Sequence, residues 1–374
     1  MHRNPFYYKA LPEDAPFCDR TDELKYLVKY AKSKNDLVLY APRRFGKTSL
    51  VRRVQKELAK QGVVAIYVNF FGIGSVNEVA ARLAAAVFKI THGKESLWKK
   101  AIRFIFSFRP VLRPTLDGYV EITAEPASRD TGMLLLEKVL NELEQFIVDC
   151  DHLVQISFDE FQEIVTLPEA EQIEAAMRTR IESYQASHFF IGSRRRVLLG
   201  IFSETQRPFF QSAHIFPLGP LPKDELAEFI SSRFAEGGVS CHVSVGLEIA
   251  RLVECHPYYS QRIAFIAAEE AKDNEVDLDS VHSAFRSLVK DVEPVFEAML
   301  QGLPPQQRLV LRALAREPVR RVTSKDYILR HDLGSVTGIN YSLSQLERLD
   351  FIDQERNSKV WSVVDPVFAV WLTD

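Results

Sequence analysis

Residues 37–50, LVLYAPRRFGKTSL, decide the architecture. Leu37 to Tyr40 form a short apolar run that reads as a buried strand. Leu50, Val54 and Leu58 then recur at helical spacing until Gly62 offers a stop. A strand that passes through a glycine-containing loop into a helix start is the setting of a phosphate-binding loop. The first N–H groups of a helix have no intrahelical acceptor, so they can cradle phosphate oxygens. Lys47 would neutralise the outer phosphates and the Thr48 hydroxyl would ligate Mg²⁺. The candidate nucleotide-binding residues are therefore Ala41, Pro42, Arg43, Arg44, Phe45, Gly46, Lys47, Thr48 and Ser49. Ala41 stands where the pattern has its first glycine, and its methyl group is tolerated if residue 41 keeps a negative φ.

Outward from this loop the chain alternates strand and helix. Val63–Phe70 reads as a strand and Val76–Lys89 as a helix; Leu134–Asp149 follows as a helix, His152–Phe158 as a strand and Glu169–Gln185 as a helix. Strands at Phe189–Ile191 and His214–Leu218 complete the pattern of a parallel α/β sheet. The basic, aromatic segment 92–130, with an Asp117-Gly118 hairpin signal, interrupts the rhythm as an insertion. After Pro222 helices dominate: 223–234, 245–254, 258–272 and 280–300. Leu303-Pro304-Pro305 reads as a linker. Beyond it, three short helices (306–315, 324–330, 335–349) and a hairpin (351–355 with 360–364) make the pattern of a winged helix. The expected domains are 1–222, 223–302 and 303–374.

Leu153–Phe158 runs straight into Asp159-Glu160, which puts two carboxylates at the end of a strand, where ligands sit in open α/β sheets. On its own this is equally a strand-end turn. With the 41–48 loop it assigns Asp159 to the Mg²⁺ shell and Glu160 to the attacking water as general base. Ser193, after Phe190-Ile191-Gly192, can present its hydroxyl to a γ-phosphate or simply occupy a turn. Arg194, Arg195, Arg196 and Arg207 are candidates for the arginine that offsets transition-state charge, with Arg207 placed shortly before the last strand.

The 374 residues carry 47 basic and 50 acidic side chains, a net charge of −3, so the surface as a whole is no polyanion binder. Cys18, Cys150, Cys241 and Cys255 lack metal or disulfide spacing and read as reduced thiols. With neither a signal-peptide core nor an apolar run of membrane length, the expectation is a cytoplasmic protein without membrane contact.

The segments FCDRTDE (17–23), APRRFGKTSL (41–50), SFDEFQEI (157–164), FFIGS (189–193), RPFF (207–210), LGPLP (218–222), HPYYSQR (256–262) and DPVFAVWL (365–372) together resemble the archaeal-type ATPase family, in the STAND branch of the AAA+ P-loop ATPases. The resemblance implies an AAA+-like core, a helical lid and a C-terminal winged helix, with ATP and Mg²⁺ as cofactors. It places Arg20 and Glu23 near the adenine and His256-Pro257 at the nucleotide from the lid. Asp19 and Cys255 stand where the family has glycines.

Two basic features remain. Arg308, Arg312 and Arg316 recur every four residues and Arg320-Arg321 follow; a solvated helix face is the simpler reading. Lys94–Arg113 interleaves Lys99, Lys100, Arg103, Arg109 and Arg113 with Trp98, Phe104, Phe106 and Phe108, and reads as aromatics packed on the domain rather than a single-strand or membrane surface. The third winged-helix segment carries one base, Arg348, which is sparse for DNA. The expectation is a slow Mg-dependent ATPase, a switch that binds ATP between core and lid and repositions the winged helix. A neighbouring subunit of a homo-oligomer would supply the arginine. The alternatives are an ATP-licensed DNA-binding initiator and a nucleotide-held scaffold in a defence or toxin-regulation system.

Overall fold

The computed structural model describes residues 4–7, 15–92, 97, 99, 101, 108–114, 120–127, 130–183, 185–271, 273–355 and 358–373. The chain divides into two compact units. One contains Thr21–Ala41 and Lys47–Leu218; the other gathers the residues up to Arg20, the short Pro42–Gly46 segment, and Gly219 onward.

The first unit is an α/β layer structure. Its elements are α1 (Thr21–Lys32), β1 (Leu37–Tyr40), α2 (Lys47–Lys60), β2 (Val64–Asn69), α3 (Val76–Thr91), β3 (Phe108–Pro114), β4 (Val120–Pro126), α4 (Gly132–Asp149), β5 (Val154–Asp159), α5 (Ala170–Ser183), β6 (Ala186–Gly192), α6 (Arg195–Ser203) and β7 (His214–Pro217). Five strands form one parallel sheet in the order β2-β5-β6-β1-β7. β1, β5 and β6 are buried along their whole length, as strands covered on both faces must be, and this explains why apolar residues predominate in them. The polar exceptions in β5 are satisfied inside: Gln55 on α2 donates to the Ile66 carbonyl (2.9 Å) and to Gln155 Oε1 (3.0 Å), and Gln155 donates to Ser157 Oγ (2.9 Å). Phe158, Phe161, Phe190, Phe202 and Phe209 form one buried ring cluster with stacked, tilted and edge-to-face contacts.

The insertion forms a hairpin, β3 antiparallel to β4. Its Asp117-Gly118 turn, and most of the basic and aromatic residues read at 94–107, lie outside the described residues. Two helices carried no clear signal in the sequence. α1 buries only Leu27 and Ala31, and α6 is nine residues long and opens on arginines.

The second unit is helical: α7 (Lys223–Glu236), α8 (Val243–Leu252), α9 (Pro257–Glu269), α10 (Leu278–Gln301), α11 (Pro305–Arg316), α12 (Lys325–His331) and α13 (Val336–Arg348), then the hairpin β8 (Ile352–Gln354) and β9 (Trp361–Val363) and a final α14 (Pro366–Thr373). A minor two-residue parallel pairing joins Ser240-Cys241 to Glu275-Val276. Helices α11 to α13 with the β8–β9 hairpin form a winged helix, and a bridge from Val319 to Trp361 adds a third short strand. Among the described residues no helix is long and apolar enough to cross a membrane.

Candidate nucleotide site

The parallel register places β6 between β1 and β5, with Tyr40 opposite Gly192 and Phe158 opposite Phe190. Three adjacent strands therefore end in residues 41–48, in Asp159-Glu160 and in Ser193. Ala41 is buried and is absent from the positive-φ residues; the left-handed positions of the loop fall on Arg44 (φ 64°) and Gly46 (φ 82°). A methyl group at 41 thus costs the loop nothing in backbone conformation.

Lys47 opens α2, is 6 % exposed, and donates from Nζ to the Ala41 carbonyl at 2.9 Å, so its ammonium lies folded over the loop. The neighbouring Thr48 hydroxyl donates to Asp159 Oδ2 at 2.7 Å. Tyr67 from β2 donates its phenolic hydrogen to the same oxygen, and the Glu160 N–H donates to Oδ1 at 3.0 Å. Burial and the Asp159 carboxylate together push the Tyr67 phenol well above its ordinary pKa, so it remains a donor. The Arg52 guanidinium lies 3.5 Å from the Tyr67 ring centroid.

Glu160 adopts a left-handed backbone conformation (φ 52°), unusual for a glutamate and of the kind that gathers at functional sites. Its carboxylate accepts from the Ser193 hydroxyl (3.1 Å to Oε2) and from the Gln162 side-chain amide. The Gln162 amide occupies the space over Gly192: a Cβ built there would sit 1.9 Å from Gln162 Oε1, so a side chain at 192 would force that amide to shift. Thr48, Asp159, Glu160 and Ser193 are thus joined by hydrogen bonds. Tyr67, Arg52 and Gln162 were missed. Gln162 lay within the SFDEFQEI segment, whereas Tyr67 had no signal beyond alternation in β2.

Thr48 and Asp159 offer a hydroxyl and a carboxylate in contact, hard oxygen donors of the kind Mg²⁺ takes from a protein while phosphate and water supply the remainder. Among the described residues no group of three or more His, Cys, Asp and Glu side chains could hold an ion unaided, so the donor set fits a metal that arrives with its nucleotide.

Arg207 belongs to a different setting. Its Nε donates to Glu174 Oε2 at 3.0 Å and its terminal amine to the other oxygen, and Glu174 has no solvent exposure. Burial raises the Glu174 pKa and the guanidinium works against that rise. Arg194 donates to Glu163 Oε1 (2.6 Å), and Arg195 lies 5.5 Å from the Tyr40 ring centroid.

In the helical unit Arg20 is 3 % exposed and bonds the Gly219 carbonyl at 2.6 Å. Asp19 and Arg20 have φ of 46° and 68°, and Cys255 has 57°, which accounts physically for glycine at 19 and 255 in the family pattern. Pro257 opens α9, and the buried His256 ring meets Phe45 edge-on at 4.7 Å. The Arg44 guanidinium lies 4.2 Å from the Tyr258 ring centroid, and Tyr259 donates to Asp365 Oδ2 at 2.6 Å.

Residues 17–234 match the family described as an ATPase domain predominantly from Archaea. The chain belongs to that family. Residues 294–374 match a second model, described as "probable winged helix domain". No curated protein is significantly similar in sequence. Among solved structures, a Walker-type ATPase of Pyrococcus abyssi aligns over 98 % of this chain and 99 % of its own, with 16 % identity and a TM-score of 0.69. The ORC2 protein of Aeropyrum pernix, solved with ADPNP and ADP, aligns over 98 % and 95 % with 17 % identity and a TM-score of 0.61. The ORC1 protein of the same organism, solved with DNA, gives 98 %, 95 %, 16 % and 0.51. At these identities the likeness is one of fold: a P-loop ATPase core followed by a winged helix.

Proposed function

We propose that this archaeal-type ATPase binds Mg-ATP through residues 41–48, hydrolyses it slowly, and uses the change of nucleotide to reposition a winged helix that carries a protein partner. The observation that carries the reading is the bonded set Thr48–Asp159 and Glu160–Ser193 at the ends of β5 and β6, next in the sheet to the strand that feeds the loop. Lys47 binds the outer phosphates, Thr48 and Asp159 hold Mg²⁺, and Arg20, His256 and Pro257 serve the nucleotide's other end. When bound, Mg²⁺ neutralises charge that builds on the phosphate oxygens. Glu160 orients a water and accepts its proton as that water attacks the γ-phosphorus; the bond to the bridging oxygen breaks and ADP and phosphate leave. Ser193 and Gln162 fix the Glu160 carboxylate, and Ser193 reports the γ-phosphate.

The switch is supported by contacts within the helical unit. Arg44 and Phe45 of the loop touch Tyr258 and His256 at the start of α9, and the next residue, Tyr259, holds Asp365 at the start of α14. Asp365 accepts from the N–H groups of Val367 and Phe368 (3.0 Å each), so it caps that helix. A protein partner is favoured over DNA because α12 and α13 expose Leu329 (71 %), Tyr341 (64 %) and Val336 (48 %), with Arg348 the only base on α13. The DNA-licensed initiator is the second reading, supported by the ORC1 likeness. Titration of labelled ATP into the wild type and Lys47→Ala tests the site: loss of more than about tenfold in affinity is expected, and equal affinity would place ATP elsewhere.

A further inference from the structure

The arginine stripe that the sequence left as a solvated face has a counterpart on another helix. Arg312 and Arg316 of α11 and Arg286 and Lys290 of α10 line one cavity of about 630 Å³. All four are exposed, and among the described residues none of them forms an ion pair. Each helix thus carries like charges four residues apart, an arrangement that disfavours the helix unless something anionic relieves it. Phe285, Val289 and Trp371 add apolar surface to its lining. Among the described residues the one carboxylate of the lining, Glu293, accepts from Trp371 Nε1 at 3.2 Å, which fixes the indole. Trp371 stacks on Phe368, with planes 12° apart and centroids 5.8 Å apart.

We infer that this cavity is a second ligand site, separate from the 41–48 loop, for phosphate groups carried on a flat apolar body, the chemistry of a nucleotide. Its volume lies in the range of small-molecule pockets. Guanidinium groups offer paired donors matched to phosphate oxygens, and two arginines plus a lysine and a third arginine suit two to four negative charges. Apolar lining that includes a fixed indole suits a base or another flat ring, and is wasted on an outward-facing phosphate row. Free nucleotide and the end of a nucleic-acid strand share this chemistry.

The test uses the full-length chain and two probes that do not present a nucleoside triphosphate to the loop: the dinucleotide pTpT, and a blunt 20-base-pair duplex. Binding is followed by calorimetry and tryptophan fluorescence, with Trp371→Phe as the spectroscopic control, and ATP affinity is measured alongside. Saturable pTpT binding is expected, weakened about tenfold or more in Arg312→Ala/Arg316→Ala and in Lys290→Glu, with unchanged ATP affinity and unchanged circular dichroism. Duplex binding lost in the same variants, with pTpT silent, assigns the site to a strand rather than a free nucleotide. Absence of binding by both probes, or binding that the variants leave intact, overturns the proposal.

Discussion

At the scale of single residues, Glu160 and Arg207 separate chemistry from architecture. Glu160→Gln keeps the size and the Ser193 and Gln162 contacts but removes the proton acceptor. ATP turnover should fall by at least about 10²-fold while ATP affinity stays within a few-fold. Arg207→Ala should act on stability instead. It strands Glu174 in the interior, a loss of about 3–5 kcal/mol by denaturant unfolding. Burial raises the Glu174 pKa above its ordinary 4.5, so the folded chain holds that proton to higher pH than the unfolded chain does. The stability of Arg207→Ala is therefore greatest below that value and declines as pH climbs through the folded pKa. Unchanged stability with abolished turnover would make Arg207 catalytic after all. Cys255→Gly relieves a left-handed backbone at a residue with a side chain. It should raise stability by about 0.5–1 kcal/mol, the left-handed penalty less glycine's extra chain entropy, read as a higher unfolding temperature.

Among the elements, the three strands whose ends carry the candidate site were legible because strands buried on both faces read as short, mostly apolar runs, and because the loop and Asp159-Glu160 follow them directly. The residues that tune the site were not legible. Tyr67 reaches Asp159 only because β2 lies beside β5 in the sheet, although 84 residues of chain separate the two strands. The pairing of Gln162 with Gly192 likewise depends on a side chain folding back over a neighbouring strand. Helix α14 escaped because eight mostly apolar residues have no helical period to display. Its cap bears on the proposed switch. Tyr259→Phe removes the hydroxyl that holds Asp365 and leaves that half-buried carboxylate, whose pKa desolvation already raises, one donor short. ATP affinity should be unchanged, while any ATP-dependent change in protease sensitivity of the winged helix should be lost. If that change persists in Tyr259→Phe, the signal travels by another route.

For the whole molecule, the order of P-loop core, helical segment and winged helix was readable from sequence because each part has its own period: alternating strands and helices, then helices alone, then three short helices and a hairpin. The use to which the molecule is put is less visible, since the winged helix exposes apolar side chains where a DNA reader would carry bases. The most direct test of the central claim, that Asp159 and Glu160 complete a hydrolytic Mg-ATP centre on the 41–48 loop, is ATP turnover per chain as a function of protein concentration, for wild type and Glu160→Gln, with magnesium and with EDTA. Turnover that requires magnesium, rises with concentration as a neighbouring chain lends its arginine, and vanishes in Glu160→Gln is the predicted result. Equal turnover by wild type and Glu160→Gln, or turnover that survives EDTA, would contradict it.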